Sequence, residues 1–200
     1  DLVRDWKNKV VSQLSGGIGQ MAKARKVNTI QAEATFLSDN EVQLKSESST
    51  ETITFDHCVV ASGSSSSIIP GIPFDNENVL TSKTALDLKK IPESLLVIGG
   101  GYIGLEMGTV FSALGSSVSV AEFLPNLLPG ADPDLVKPLA RKLKKEFSEI
   151  HLSTKITKVE QAKSGVMDVT MEKNGEEITK QYEQVLVSVG RKPNTEKMGV

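Results

Sequence analysis

The sequence has little cysteine and histidine: it contains one cysteine, Cys58, and two histidines, His57 and His151. One thiol cannot form an internal disulfide, and these scattered side chains lack the spacing of zinc ligands. We therefore predict neither a disulfide framework nor a metal site. Cys58 belongs to the apolar run 57–61, which we interpret as a strand, so its thiol is expected to be a small buried hydrophobic group, with a catalytic thiol as the alternative.

Long hydrophobic runs and a strong net charge are also missing. No apolar run approaches the roughly 20 residues that span a bilayer, and no signal-peptide pattern opens the chain. The net charge of −2 gives no reason to expect binding to nucleic acid or to an anionic membrane. We expect a globular, cytoplasmic protein. Because the chain starts at Asp1 without methionine and stops just after a strand-like run, we also expect an internal piece of a longer protein.

The first 90 residues give a mixed pattern. Apolar residues at helical spacing predict a helix over 1–27, interrupted at Gly16-Gly17 and Gly19. The remaining predicted elements are strands at 28–36, 41–45, 53–55 and 59–61, an irregular connection over 62–80, and a short helix over 84–89.

From Leu95 onward the pattern alternates strand and helix. Leu95–Ile98 is a short apolar run typical of a buried parallel strand. A helix over 102–114, a strand over 117–121 and a helix over 133–147 follow. Strands joined through Asn174-Gly175 then predict a hairpin, and a further buried strand covers 185–189. The predicted fold class is α/β, a Rossmann-like βαβαβ unit followed by an antiparallel meander.

The strongest motif is G-x-G-x-x-G, placed directly after a strand and directly before a helix. Gly99 permits the tight turn, Gly101 lets a diphosphate approach the backbone, and Gly104 allows close packing of helix on strand. Glu122 ends the next strand about 20 residues later, where this fingerprint places the acid that binds the adenosine ribose. The predicted NAD-binding residues of the turn are Gly99, Gly100, Gly101, Tyr102, Ile103 and Gly104.

The acidic residue also predicts which nucleotide binds. The carboxylate of Glu122 would repel a ribose 2′-phosphate, and the residues that follow it, 123–126, include no arginine or lysine, so NAD is favoured over NADP. Two alternatives stay open: the motif could bind FAD, which uses the same fingerprint, or the glycines could only shape a turn. The second glycine cluster, Gly16–Gly19, follows a helix-like segment and is not expected to hold a phosphate.

Three segments carry a family resemblance: GGGYIGLEMG (99–108), AEFLPNLLPGAD (121–132) and VLVSVGRKPN (185–194). They resemble the pyridine nucleotide-disulfide oxidoreductases and, within them, the dihydrolipoamide dehydrogenases most. The resemblance implies an NAD domain inserted in an FAD domain. Mapped here, 1–88 would be part of the FAD-binding domain, 89–188 the NAD-binding domain, and 189–200 the return into the FAD-binding domain.

The resemblance also assigns individual residues. Glu106 corresponds to a glutamate near the nicotinamide and flavin, Ile156 to an apolar contact of the adenosine, and Gly190 to a glycine whose backbone approaches NAD. The residues that correspond to FAD contacts are Ala34, Ser62, Gly63 and Ser64.

The family's redox cysteine pair and its catalytic histidine and glutamate have no counterpart in these 200 residues, so we predict no catalytic residue here. The implied reaction is oxidation of protein-bound dihydrolipoamide by NAD through FAD, with lipoyl domains of 2-oxo acid dehydrogenase or glycine cleavage complexes as partners and a homodimeric parent enzyme. Two alternatives remain: another flavoprotein disulfide reductase, or a non-catalytic NAD-binding module.

Overall fold

The computed structural model describes residues 2–87 and 89–199, which form two compact units. One unit comprises the described residues of Asp1–Ser64 and Pro193–Val200, and the other comprises those of Ser65–Lys192. The division predicted from the resemblance, with boundaries near 88 and 188, concerns the whole family architecture and stays a prediction. Leu88, which the predicted helix 84–89 includes, lies outside the described residues, as do Asp1 and Val200.

The first unit contains one long helix, α1 (Leu2–Ala24), and the strands β1 (Glu33–Ser38), β2 (Glu41–Lys45) and β3 (Thr50–Thr54). The three strands form a small antiparallel sheet of order β1-β2-β3. The predicted break at Gly16-Gly17 and Gly19 is wrong, because α1 runs through all three glycines. Glycine in a helix costs about 1 kcal/mol relative to alanine, but it does not forbid helical backbone angles.

The strand predicted over 59–61 is also wrong. These residues form no regular element, Val59 is 91% exposed, and Cys58 is exposed instead of buried. An apolar run forms a strand only where a neighbouring strand can satisfy its backbone groups, and sequence alone does not supply that neighbour. Similarly, the strand predicted from residue 28 begins only at Glu33.

Short elements lie within residues 62–89, predicted as an irregular connection followed by a helix, and one of them pairs with a short strand near residue 192. The strands β4 (Ser64–Ser66) and β13 (Arg191–Pro193) pair with each other, and β5 (Val79–Thr81) leads into the single-turn helix α2 (Ser82–Ala85). The helix starts earlier than predicted because Thr81 caps it: its hydroxyl accepts a hydrogen bond from the backbone N–H of Thr84.

The second unit is built on a five-stranded parallel sheet with helices between its strands. The elements are β6 (Ser94–Ile98), α3 (Tyr102–Ala113), β7 (Ser117–Ala121), α4 (Pro133–Glu146), β8 (Glu149–His151) and β12 (Gln184–Val187). The strand order is β5-β12-β6-β7-β8. The two helices predicted after residue 100 are both present, and the α/β fold class is confirmed.

Alternate residues of the parallel sheet pack on opposite layers. Leu95, Val97 and Val120 pack against the helices, where Phe111 and Leu143 are fully buried. The side chains in between pack against the antiparallel meander β9 (Lys155–Gln161), β10 (Met167–Lys173) and β11 (Glu176–Tyr182). The sheet is therefore buried on both faces, as the continuous apolar runs of its strands predict.

The predicted hairpin at Asn174-Gly175 is confirmed. These two residues join β10 to β11, and their φ angles are 55° and 81°. Positive φ at both central residues is the requirement of a type I′ turn, and asparagine followed by glycine meets it with the least strain.

One ion pair joins the edge of the parallel sheet to the meander. Glu149 of β8 accepts hydrogen bonds from Lys180 of β11 and from His151, with 2.7 Å between His151 Nε2 and Glu149 Oε2. The pKa of the Glu149 carboxyl lies below its ordinary value of 4.5. The hydrogen bond from the Lys180 ammonium lowers it most, and the one from His151 lowers it less. Since the pKa is lower in the folded than in the unfolded state, the pair stabilises the fold above about pH 4.5 and is lost as the pH falls.

We therefore expect Lys180→Met to be less thermostable than the wild type at pH 7, with the difference shrinking as the pH falls through the lowered pKa of Glu149. The pair is half-exposed and screened by water, so the difference at pH 7 should stay below about 1 kcal/mol. Thermal unfolding of both proteins from pH 7 to about pH 3 measures it, with Lys163→Met, an exposed lysine of the turn that joins β9 to β10, as the control. A difference that does not shrink as the pH falls would contradict the assignment.

A candidate nucleotide site at the carboxyl edge of the parallel sheet

The glycine-rich turn joins the end of β6 to the start of α3. Gly99 has φ of +105°, and its backbone N–H donates to the carbonyl of Ala121 in the neighbouring strand over 2.8 Å. A Cβ at this position would lie 2.6 Å from the carbonyl oxygen of Ser188, which follows β12. Only glycine can adopt this backbone conformation without strain and also leave room for the nearby backbone of Ser188.

The third glycine of the motif is needed for packing. Gly104 is buried, and a Cβ there would lie 2.3 Å from the Gly99 carbonyl oxygen and 2.9 Å from the Val97 side chain. The first turn of α3 therefore rests directly on the end of β6. This is the close helix–strand packing that the sequence motif predicts.

The second glycine, Gly101, faces open space. It precedes α3 as the N-cap residue, and a Cβ there would meet no atom within 4 Å. The first amide groups of a helix have no intrahelical acceptor, and the helix dipole adds partial positive charge at the same place. The turn thus presents amide donors beside free space, which is the arrangement that binds a phosphate group.

Glu122 lies against this turn. Its side chain is only 7% exposed, its Oε2 accepts a hydrogen bond from Gly100 N over 2.6 Å, and its Oε1 accepts one from Leu124 N over 2.7 Å. Each carboxylate oxygen keeps a further lone pair that can accept a hydroxyl hydrogen bond. The acidic residue is therefore held at the glycine-rich turn by two backbone amides.

A cleft of about 1080 Å³ opens beside the turn, at the upper limit of the size typical of cofactor sites. Of the ten residues predicted to bind NAD, seven line it: Gly99, Gly101, Tyr102, Ile103, Glu122, Ile156 and Gly190. The other three are placed differently. Gly100 donates its N–H to Glu122, Gly104 lies beneath the turn, and Glu106 is an exposed side chain of α3.

The cleft also contains residues that the sequence analysis does not predict. Ser188 and Arg191 follow β12, Thr154 directly precedes β9, Lys155 is the first residue of β9, and Phe123 follows Glu122 and is 68% exposed. A general rule could have found most of them: in a parallel α/β sheet, ligands bind outside the carboxyl ends of the strands. Applied to the run Val185–Val187, this rule selects the residues that come directly after it.

The predicted FAD contacts lie in the other unit or at its boundary. Gly63 has φ of +71°. Its carbonyl accepts a hydrogen bond from the backbone N–H of Asn194, and the carbonyl of Ser62 accepts one from the Asn194 side-chain amide. Ser64 opens β4, while Ala34 is an exposed residue of β1, opposite Leu44. A Cβ at Gly63 would meet only the Asn194 amide, at 3.9 Å, so the segment leaves room for a ligand to approach its backbone.

A metal centre and a membrane-spanning helix are both absent from the part of the chain that the structure describes. Among residues 2–87 and 89–199, no group of three or more histidine, cysteine, aspartate or glutamate side chains is arranged to hold a metal ion. Within the same residues, no helix combines the length and the hydrophobicity that crossing a lipid bilayer requires.

Residues 2–200 match the family described as pyridine nucleotide-disulphide oxidoreductase. The chain belongs to this family. Members of the pyridine nucleotide-disulphide oxidoreductase family use FAD and NAD as cofactors.

Relatives within the family support a closer assignment. The chain is 42% identical over 195 residues to a protein of Vibrio cholerae, 40% identical over 199 residues to one of Bacillus subtilis and 38% identical over 201 residues to one of Haloferax volcanii. All three are named dihydrolipoyl dehydrogenase, and the matches cover 97–99% of this chain. The chain spans only about two fifths of the length of these relatives, 41–42%.

A solved structure supports the fold. The chain superposes with a TM-score of 0.81 on the HOCl-induced flavoprotein disulfide reductase RclA from Escherichia coli, with 23% sequence identity. The match covers 98% of this chain and 43% of that one. This pyridine nucleotide-disulphide oxidoreductase thus shares its fold with a flavoprotein disulfide reductase.

Proposed function

We propose that this chain is the NAD-binding part of a dihydrolipoyl dehydrogenase. The observation that carries the proposal is the buried carboxylate of Glu122, held against a turn that leaves open space at Gly101, the N-cap residue of α3. In the proposed complex the amides at the start of α3 hold the diphosphate, and Glu122 accepts the hydroxyl groups of the adenosine ribose. The names of the relatives indicate the substrate of the whole enzyme.

In that enzyme, a dihydrolipoyl group loses two electrons and two protons to become a disulfide, and NAD⁺ gains a hydride. FAD would supply the electron relay between a thiol pair and the nicotinamide. The residues of this chain would do a positioning task, holding the nicotinamide nucleotide in the cleft while Ser62, Gly63 and Ser64 contact the flavin nucleotide. Lipoyl domains would be the protein partners, and the parent enzyme would be a homodimer.

The 200 residues by themselves should bind NADH but not oxidise dihydrolipoamide, because one cysteine cannot form the redox disulfide. Calorimetry with NADH and NADPH tests the nucleotide assignment. We expect NADH to bind at least about 10-fold more tightly, since a 2′-phosphate would face the Glu122 carboxylate at a cost of more than about 1.4 kcal/mol.

The Lys155→Met variant is the informative companion, because Lys155 is a basic side chain of the cleft. If Glu122 alone selects the nucleotide, this change leaves the NADH-to-NADPH ratio unchanged. If Lys155 receives a 2′-phosphate, NADPH binding weakens selectively. Equal affinity of the wild type for both nucleotides would contradict the role of Glu122, and no binding of either would contradict the proposed function.

A further inference from the structure

The peptide group between Gly99 and Gly100 is held at both of its ends by side chains from two different strands. Its N–H, on Gly100, donates to the Glu122 carboxylate over 2.6 Å. Its carbonyl, on Gly99, lies 3.3 Å from the Ser188 hydroxyl. Glu122 follows β7 and Ser188 follows β12, the strands on either side of β6, so the peptide is held from both flanks of the sheet.

Such a restraint lowers the conformational entropy that the turn would lose when a ligand binds. Two consecutive glycines have the greatest backbone freedom of any dipeptide, and that freedom is lost when a ligand fixes the turn. Restraining the peptide before the ligand arrives removes this entropic cost from the binding free energy. The next carbonyl is restrained as well, because Gly100 O accepts a hydrogen bond from Leu128 N over 2.9 Å.

The Ser188 hydroxyl is placed with little freedom of its own. It lies 3.0 Å from the carbonyl of Ile98, the last residue of β6, so its one proton is shared between this carbonyl and that of Gly99. A Cβ at Gly104 would come within 2.5 Å of the Ser188 oxygen. The absence of a side chain at Gly104 therefore also makes the room that the hydroxyl occupies.

We propose that Ser188 is a positioning residue which, together with Glu122, holds the Gly99–Gly100 peptide in the orientation that presents the following amides to the diphosphate of the nucleotide. Ser188 acts through the turn and needs no contact with the nucleotide itself. This inference rests on the proposed function for its ligand. The restraint of the peptide is a property of the nucleotide-free protein and can be measured separately.

The test compares Ser188→Ala with Ser116→Ala in the 200-residue chain. Ser116 is a matched control: it is also buried, and its hydroxyl donates to a backbone carbonyl, that of Pro92, over 2.6 Å at the opposite end of the sheet. We expect Ser188→Ala to weaken the binding of ADP-ribose about 3- to 10-fold in calorimetry, the effect of one hydrogen bond. Ser116→Ala should leave this affinity unchanged, although both variants lose similar thermal stability.

Amide hydrogen exchange without nucleotide provides the second measurement. Gly100 N–H should be protected in the wild type and exchange at least about 10-fold faster in Ser188→Ala, because a partly released peptide exposes its N–H to water. Ser188→Thr keeps the hydroxyl and should keep the protection. This measurement does not depend on the identity of the ligand.

The outcomes separate two failures. If the wild type does not bind ADP-ribose but Gly100 is protected as described, the proposed function fails and the restraint of the peptide stands. If the wild type binds ADP-ribose but Gly100 exchanges freely, or if Ser188→Ala changes neither the exchange nor the affinity, the role of Ser188 is wrong. Equal losses of affinity in Ser188→Ala and Ser116→Ala would likewise overturn it, since they would indicate a general effect on stability.

Discussion

Gly104→Ala is expected to lower the free energy of unfolding of the unit Ser65–Lys192 by about 2 kcal/mol or more. The new methyl group would meet the Gly99 carbonyl oxygen at 2.3 Å, and a backbone atom cannot move aside as a flexible side chain can. Overpacking of this kind costs about 3 kcal/mol, and the better helix propensity of alanine offsets about 1 kcal/mol of it. Urea unfolding of the wild type and the variant measures the difference.

Gly101→Ala is the matched control, one turn earlier in the same motif. Its methyl group would point into open space, and φ at this residue is an ordinary −77°. We expect less than about 1 kcal/mol of destabilisation, near the cost of an alanine N-cap. NADH binding should nevertheless weaken strongly, because the methyl group occupies the space of the diphosphate. A Gly104→Ala variant as stable as the wild type would show that helix and strand can separate, contrary to the close packing described.

Glu122→Ala is expected to weaken NADH binding by about 1–3 kcal/mol, roughly 5- to 150-fold. Two effects add: the ribose loses its hydrogen-bond acceptor, and the amides of Gly100 and Leu124 lose theirs. The second effect should also lower the free energy of unfolding, since each buried N–H left without an acceptor costs about 1–3 kcal/mol. Calorimetry with NADH and urea unfolding measure the two quantities separately.

The control for this variant is Glu176→Ala, which removes an exposed carboxylate at the start of β11. It changes the net charge by the same amount but should alter neither NADH affinity nor stability. A folded Glu122→Ala protein that binds NADH as tightly as the wild type would remove the basis of the proposed function. A loss of stability without a loss of affinity would assign Glu122 to the structure of the turn alone.

The dual position of Glu122 changes the interpretation of the sequence fingerprint. From the spacing alone, Glu122 is expected to accept hydrogen bonds from the ribose hydroxyl groups. In the structure it is also the acceptor for a backbone N–H of the glycine-rich turn itself. The residue that we propose to bind the nucleotide therefore also holds the glycine-rich turn in the nucleotide-free protein. A substitution of Glu122 changes both the proposed ribose contact and the hydrogen bonds of the turn, so affinity and stability have to be measured together, whereas Ser188→Ala is expected to act through the turn.

Local sequence patterns were sufficient where one strand or helix determines the outcome. The strand Ser117–Ala121 and the start of α3 at Tyr102 agree with the predictions, because periodicity and glycine spacing are local properties. The predictions failed where the secondary structure depends on a neighbouring strand or on a capping side chain. The run 59–61 has no strand beside it in the described residues, and the capping hydroxyl of Thr81, not the apolar pattern, sets the start of α2.

The amino-acid sequence by itself determined the βαβ unit, the glycine-rich turn and the position of Glu122 at the end of the next strand. Each of these features follows from residue spacing along one stretch of chain. Only the tertiary structure decided which distant residues join them. Ser188, Thr154 and Lys155 reach the cleft because parallel strands end at one common edge of the sheet, and the meander adds a strand that starts beside Glu122. The order of strands in a sheet arises from packing between elements far apart in the chain, and no local pattern encodes it.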